Sequence, residues 1–325
     1  MKHMKFTLFL LSVFTFILSG NSQNVQQKNP GSQQKVVRIN PVKVDTNDPN
    51  KKALNKFSKD KMFEVNTPPE PMKPEEIRAM VFFNDGSKKG KEGDYEGAIF
   101  EFTKSLDLLK NVNSYVKRGY AYFMIGNYGA SIRDETEAIR LQNSYTWAYF
   151  VRGLCYFETG DYKSAKIDLD IVLDRDRTNP IAFNYMAALL FMNQDFKGAL
   201  DNYNEVVRLD PEYPDIYTNR GMMRHYNQDY QGAIQDYNNA LKKDHGNATA
   251  YNNRGAAHMM QKDLDAALTD FNKAISLKEK YADAYDNRGR VRQAQGDTKG
   301  ACADWQLAYS YGLEASRELI LKFCK

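Results

Sequence analysis

Small residues stand at Gly86, Gly119, Gly153, Ala187, Gly221, Gly255 and Gly289, the first step being 33 residues and every later one 34. Twelve positions beyond each comes a second small residue: Ala98, Ser131, Ala165, Ala199, Ala233, Ala267 and Ala301. An aromatic precedes the first small position by four, as Phe82, Tyr115, Tyr149, Phe183, Tyr217, Tyr251 and Tyr285. A large residue follows the second by four at Phe102, Leu169, Tyr203, Tyr237, Phe271 and Trp305, while Glu135 holds that place in the second repeat. Self-similarity at one fixed period is the mark of stacked repeats. Small residues at this spacing let two antiparallel helices approach closely, and aromatics fill the gaps around the contact. Turn phrases such as GDY (Gly93–Tyr95), GNY (Gly126–Tyr128) and QDY (Gln228–Tyr230) stop one helix and cap the next. LDPEYP around Pro211 breaks the chain between repeats. The pattern predicts an all-α chain, an α-solenoid of seven helical hairpins over residues 75–311 that together bury one continuous core.

A second periodicity is charged. Arg118, Arg152, Arg220, Arg254 and Arg288 each precede the first small residue, and Asp134, Asp168, Asp236, Asp270 and Asp304 follow sixteen residues later. The fourth repeat changes both members together, to Met186 and Asn202, and the first has Asp85 and Glu101. Joint retention and joint loss predict an Arg–Asp bridge inside five hairpins. Ligand-binding arginines are the alternative reading.

These positions resemble the tetratricopeptide repeat family over residues 75–311. The likeness implies a right-handed superhelix whose concave face is lined by the first helix of each hairpin. It also implies that the tail, residues 312–325, is a capping helix over the last hairpin. Positions that such geometry turns toward the groove are apolar early in the array, with Tyr120, Phe123, Trp147, Phe150, Phe157 and Phe191, and polar later, with Asn219, Asn253 and Asn287. Aromatic residues suit the apolar anchors of a partner. A carboxamide both donates and accepts toward one peptide unit. These nine are the candidate partner-binding residues. Packing between hairpins is the other reading for the aromatics, and local hydrogen bonding between helices for the asparagines. The charged clamp with which some relatives hold a chaperone's C-terminal carboxylate has no counterpart in any three consecutive repeats.

The rest of the chain changes the picture at its front. MKHMK followed by FTLFLLSVFTFILSG has the form of a signal peptide over residues 1–22, with Gly20 and Ser22 before a cut ahead of Gln23. Residues 23–74 are rich in Gln, Asn, Lys, Pro and Ser, a composition that buries too little apolar surface to fold, so a disordered, flexible N-terminal linker is expected there. Its ten Lys/Arg against five Asp/Glu make it basic, either a solvated spacer or a tether suited to an anionic membrane surface. The whole chain of 325 residues carries a net charge of only +4, which leaves no electrostatic footprint for nucleic acid. The four His have no metal-ligand spacing, and no phosphate-binding glycine loop or nucleophile elbow is present. No enzyme, cofactor, metal or small-molecule substrate is expected. Of the three Cys, Cys155 lies at an apolar position, while Cys302 and Cys324 would meet if the tail folds back near Gly312, closing a disulfide suited to an oxidising compartment; a lone exposed Cys324 is the alternative.

The expectation is therefore an exported protein, periplasmic or at the cell surface. It would bind a partner protein or extended peptide in the groove, within a cell-envelope or secretion assembly. The rival is a structural spacer that joins a larger complex by its convex face and its tether.

Overall fold

The computed structural model describes residues 72–213 and 215–324, and these fall into two units, one up to Asp229 and one from Tyr230 onward. The expected signal peptide and nearly all of the expected linker lie outside the described residues. All regular structure among the described residues is helical. The first unit holds four hairpins and a ninth helix: α1 (Pro74–Glu92) with α2 (Tyr95–Leu108), α3 (Val112–Met124) with α4 (Tyr128–Leu141), α5 (Thr146–Glu158) with α6 (Tyr162–Arg175), α7 (Pro180–Met192) with α8 (Phe196–Leu209), then α9 (Ile216–Tyr226). In the second unit α10 (Tyr230–Lys243) is followed by the hairpins α11 (Ala248–Met260) with α12 (Leu264–Leu277) and α13 (Ala282–Ala294) with α14 (Thr298–Ser310). A short α15 (Ser316–Phe323) ends it.

Six of the second helices begin where the sequence supplies an acceptor. Asp94, Asn127, Asp161, Asp195, Asp263 and Asp297 precede second helices, and the side chain of each accepts the backbone N–H three residues on. The turn before each of these helices needs one left-handed residue, which is Gly93 (φ 89°), Gly126 (φ 80°), Gly160 (φ 84°) and Gly296 (φ 88°) in four hairpins. Gln194, Gln228 and Lys262 take the same backbone at φ 62°, 65° and 66°, without glycine's freedom.

The spacing of small residues is explained by contact across each hairpin. All seven second-position residues, Ala98 through Ala301 with Ser131, are fully buried. A Cβ added at Gly255 would sit 2.9 Å from the Phe271 ring, and one at Gly289 2.6 Å from the Trp305 indole. The large residue of the second helix thus lies directly on the bare backbone of the first. Consecutive first helices also pack on one another, α1 on α3, α3 on α5 and α5 on α7 in the first unit, and α11 on α13 in the second. First helices therefore lie on the inside of the bend within each unit.

α15 closes the last hairpin. Its Phe323 ring lies 5.6 Å from that of Trp305, and Ser316 donates its hydroxyl to the buried carboxylate of Asp286 at 2.7 Å. The expected disulfide is present between Cys302 and Cys324, their Cα atoms 5.6 Å apart.

Candidate functional site

The Arg–Asp pairs are the most regular polar feature. Arg152 donates from Nε to Asp168 Oδ2 at 2.8 Å and from Nη2 to Oδ1 at 2.9 Å, and Arg118–Asp134, Arg254–Asp270 and Arg288–Asp304 repeat that fork. Of the fifth expected pair, Arg220 and Asp236 belong to different units. The structure adds a third contact that sequence reasoning missed. The remaining nitrogen, Nη1, reaches back to the preceding hairpin, to Thr103 from Arg118, Thr136 from Arg152, Asn204 from Arg220, Asn238 from Arg254 and Asn272 from Arg288. Each guanidinium also lies over an aromatic three residues before it, between 5.2 Å (Tyr285) and 5.8 Å (Tyr115) from the ring centre. Its hydrogen bond to Asp168 holds Arg152 above its ordinary value despite partial burial. Of the two readings of these arginines, the structure supports the structural one: in Arg118, Arg152, Arg254 and Arg288 all three guanidinium nitrogens are hydrogen-bonded within the array.

The candidate partner-binding residues divide. Tyr120, Phe123, Phe150 and Phe157 are at most 5% exposed and belong to the core rather than to an open face. Two of them carry contacts between consecutive first helices: Tyr120 meets Trp147 at 6.2 Å between ring centres, and Phe157 meets Tyr185 edge-on at 4.9 Å. A helix lining the inside of a bend must fill the gap to its neighbour before it offers anything outward. Trp147 and Phe191 keep accessible surface, and Met192 beside Phe191 is exposed.

The asparagines are corrected likewise. Asn253 and Asn287 are fully buried, and Asn287 Nδ2 donates to Asn252 Oδ1 at 3.1 Å while Asn252 Nδ2 donates to Asn253 Oδ1 at 3.2 Å. They join α11 to α13 as an internal polar seam. Asn219, in the first unit, is 9% exposed and its Oδ1 has no hydrogen-bond partner. Burial also pushes His225 down to about 3, so its imidazole is neutral at ordinary pH.

Two polar groups in the core depart from the repeat pattern. Glu135 stands where its sister hairpins carry Phe102, Leu169 or Phe271, packed on the backbone of Gly119. It is fully buried and both carboxylate oxygens lack a hydrogen-bond partner. Burial, with the adjacent Asp134 carboxylate, pushes it well above the usual carboxylate range against the pull of Arg152. Cys155 is the small buried residue expected, and its thiol donates to Ser131 at 3.2 Å.

One cleft of about 730 Å³ opens between the third and fourth hairpins, with Asp170, Leu173 and Asp174 of α6 and Arg177 just after it on one side, and Glu205 and Arg208 of α8 on the other. Phe183 of α7 lines it as well. Among the described residues no group of His, Cys, Asp or Glu is arranged to hold a metal ion, and no helix is long and apolar enough to cross a membrane.

Tetratricopeptide-repeat family models match residues 148–179, 189–225, 221–262 and 248–281. Among curated proteins, none matches this sequence significantly. Solved structures share the fold. The C-terminal part of a TPR repeat-containing protein from Cytophaga hutchinsonii aligns at 18% identity and TM-score 0.55, covering 70% of this chain and 94% of that one. A tetratricopeptide repeat protein from Parabacteroides merdae aligns at 16% identity and TM-score 0.52, covering 77% and 100%. YrrB, described as a TPR protein with an unusual peptide-binding site, aligns at 22% identity and TM-score 0.53, covering 56% and 95%.

Proposed function

We propose that this chain, a tetratricopeptide-repeat protein, is a non-enzymatic scaffold that binds a partner protein along the first helices of its early hairpins, outside the cytoplasm. Stacked hairpins expose long helix faces while their core is spent on neighbours, an arrangement suited to recognising other proteins. The observation that carries the reading is the surface left on α5 and α7. Trp147 is half-buried, Phe191 keeps accessible surface and Met192 is exposed, so these three offer apolar area there. An extended segment crossing these helices would cover the rings and the Met192 side chain.

Export is supported by the charged, apolar and small-residue succession of Met1–Ser22 and by a disulfide that fits an oxidising compartment. Work within an envelope or secretion assembly accords with both.

The test is crosslinked capture from native envelopes with the full-length gene product beside a Trp147→Ser/Met192→Ser variant. Met192 is exposed and Trp147 half-buried against Tyr120 and Phe150, so circular dichroism first verifies that the variant keeps its helices. A partner held by the parent and lost by the variant supports the reading, and a partner held equally by both removes recognition from this face. The mass of the purified mature chain tests export separately, since cleavage before Gln23 removes residues 1–22.

A further inference from the structure

The ladder of guanidinium groups is interrupted once within the first unit, and the cleft between the third and fourth hairpins lies at the interruption. Wherever an arginine stands in the ladder, it lies over the aromatic three residues before it and reaches a Thr or Asn of the preceding hairpin. In the fourth hairpin that arginine is Met186, buried at 4% exposure, and the aromatic is Phe183. Phe183 lines the cleft and no cation lies over its ring. The place of Thr103, Thr136 and Asn204 is taken by Asp170, a carboxylate facing the same cleft. Asn202, in the place of the usual Asp, turns its amide to the Gly198 carbonyl at 2.8 Å.

We propose that this cleft receives the side chain of an arginine presented by a partner protein, whose guanidinium completes the interrupted ladder from outside. The chain itself shows what such a slot holds, because its sister hairpins fill the corresponding place with a guanidinium. The negative charge has moved from the hairpin's own second helix to the preceding one, and the aromatic floor is kept. Asp170 is engaged only by Lys166 at 2.7 Å, an exposed pair one helical turn apart that yields readily to a forked donor. Asp174, one turn further along α6, has no hydrogen-bond or ion-pair partner. Of the cleft's own cations, Arg208 is turned to Glu205 of its helix at 2.7 Å and Arg177 follows the end of α6, so the α6 carboxylates Asp170 and Asp174 are the receiving groups, with Arg177 beside them. Arginine fits better than lysine because a planar guanidinium both stacks on Phe183 and forks onto a carboxylate. This surface is distinct from the first-helix face proposed above, and either reading survives the failure of the other.

The test uses full-length protein labelled at its methionine methyl groups and titrated with acetyl-Gly-Arg-Gly-amide, followed by NMR. The expected result is a saturable shift of the Met186 methyl, with acetyl-Gly-Lys-Gly-amide binding about tenfold more weakly. Asp170→Asn/Asp174→Asn should lose the shift. Met186→Arg/Asn202→Asp, which rebuilds the rung from within, should fold and no longer bind the peptide. No saturable shift, equal binding of the two peptides, or binding unchanged in Asp170→Asn/Asp174→Asn would each overturn the proposal.

Discussion

Arg152 forks onto Asp168 through two hydrogen bonds of 2.8 and 2.9 Å, with the carboxylate only 3% exposed. Removing one member strands a charge that is no longer solvated. Arg152→Met should therefore cost about 3 kcal/mol in urea unfolding. Adding Asp168→Asn should recover most of that loss, since the fourth hairpin already carries Met186 and Asn202 together. A double-mutant cycle measures the coupling directly.

Glu135 is the opposite case, a buried carboxyl with nothing to bind it. Glu135→Leu should stabilise the protein by about 1–3 kcal/mol at pH 7, since Leu169 already packs on Gly153 in the next hairpin. In the unfolded chain this group titrates near ~4.3, and in the folded chain well above that. The folded state holds the extra proton, so the stability contribution is present below the unfolded value and is lost as pH rises toward the folded one. Urea midpoints of parent and variant between pH 4 and pH 8 should therefore diverge with rising pH.

Lys262 holds a left-handed backbone at φ 66° where Gly296 sits at 88° in the next hairpin. Lys262→Gly should raise stability by about 1 kcal/mol by relieving the Cβ clash, although it adds freedom to the unfolded chain. Differential scanning calorimetry would register this as a higher transition temperature.

Reduction of Cys302–Cys324 opens a loop spanning 22 residues and should remove about 3 kcal/mol from the closure of the last hairpin. Trp305, now 1% exposed beneath Phe323, would then meet water. A red shift of tryptophan emission with dithiothreitol, absent in Trp305→Phe, is the expected signature.

The repeat, its hairpins and the Arg–Asp pairing were legible in the sequence because each rests on positions that must vary together. Gly289 is small because Trp305 lies on it, and Met186 goes with Asn202. The candidate site was harder to read. Phe150 and Trp147 are three residues apart on α5 and chemically alike, yet one is 1% exposed and the other keeps open surface. A first helix meets its own partner, its neighbour and solvent with similar apolar residues, so composition alone does not separate them. Asn253 and Asn287 misled for the same reason, since a carboxamide serves a buried seam as well as a ligand. The backward reach of each arginine to Thr103, Thr136 or Asn238 was present as a spacing, but its Thr and Asn members share only hydrogen-bonding capacity.

Three contacts of the terminal closure fall on the last hairpin, with Cys302, Asp286 and Trp305 on one side and Cys324, Ser316 and Phe323 on the other. A gene that gains or loses a whole internal period keeps this stopper intact, because none of its six residues comes from upstream of α13. Array length and array termination are thus separately heritable, and duplication can lengthen the protein without inventing a new end.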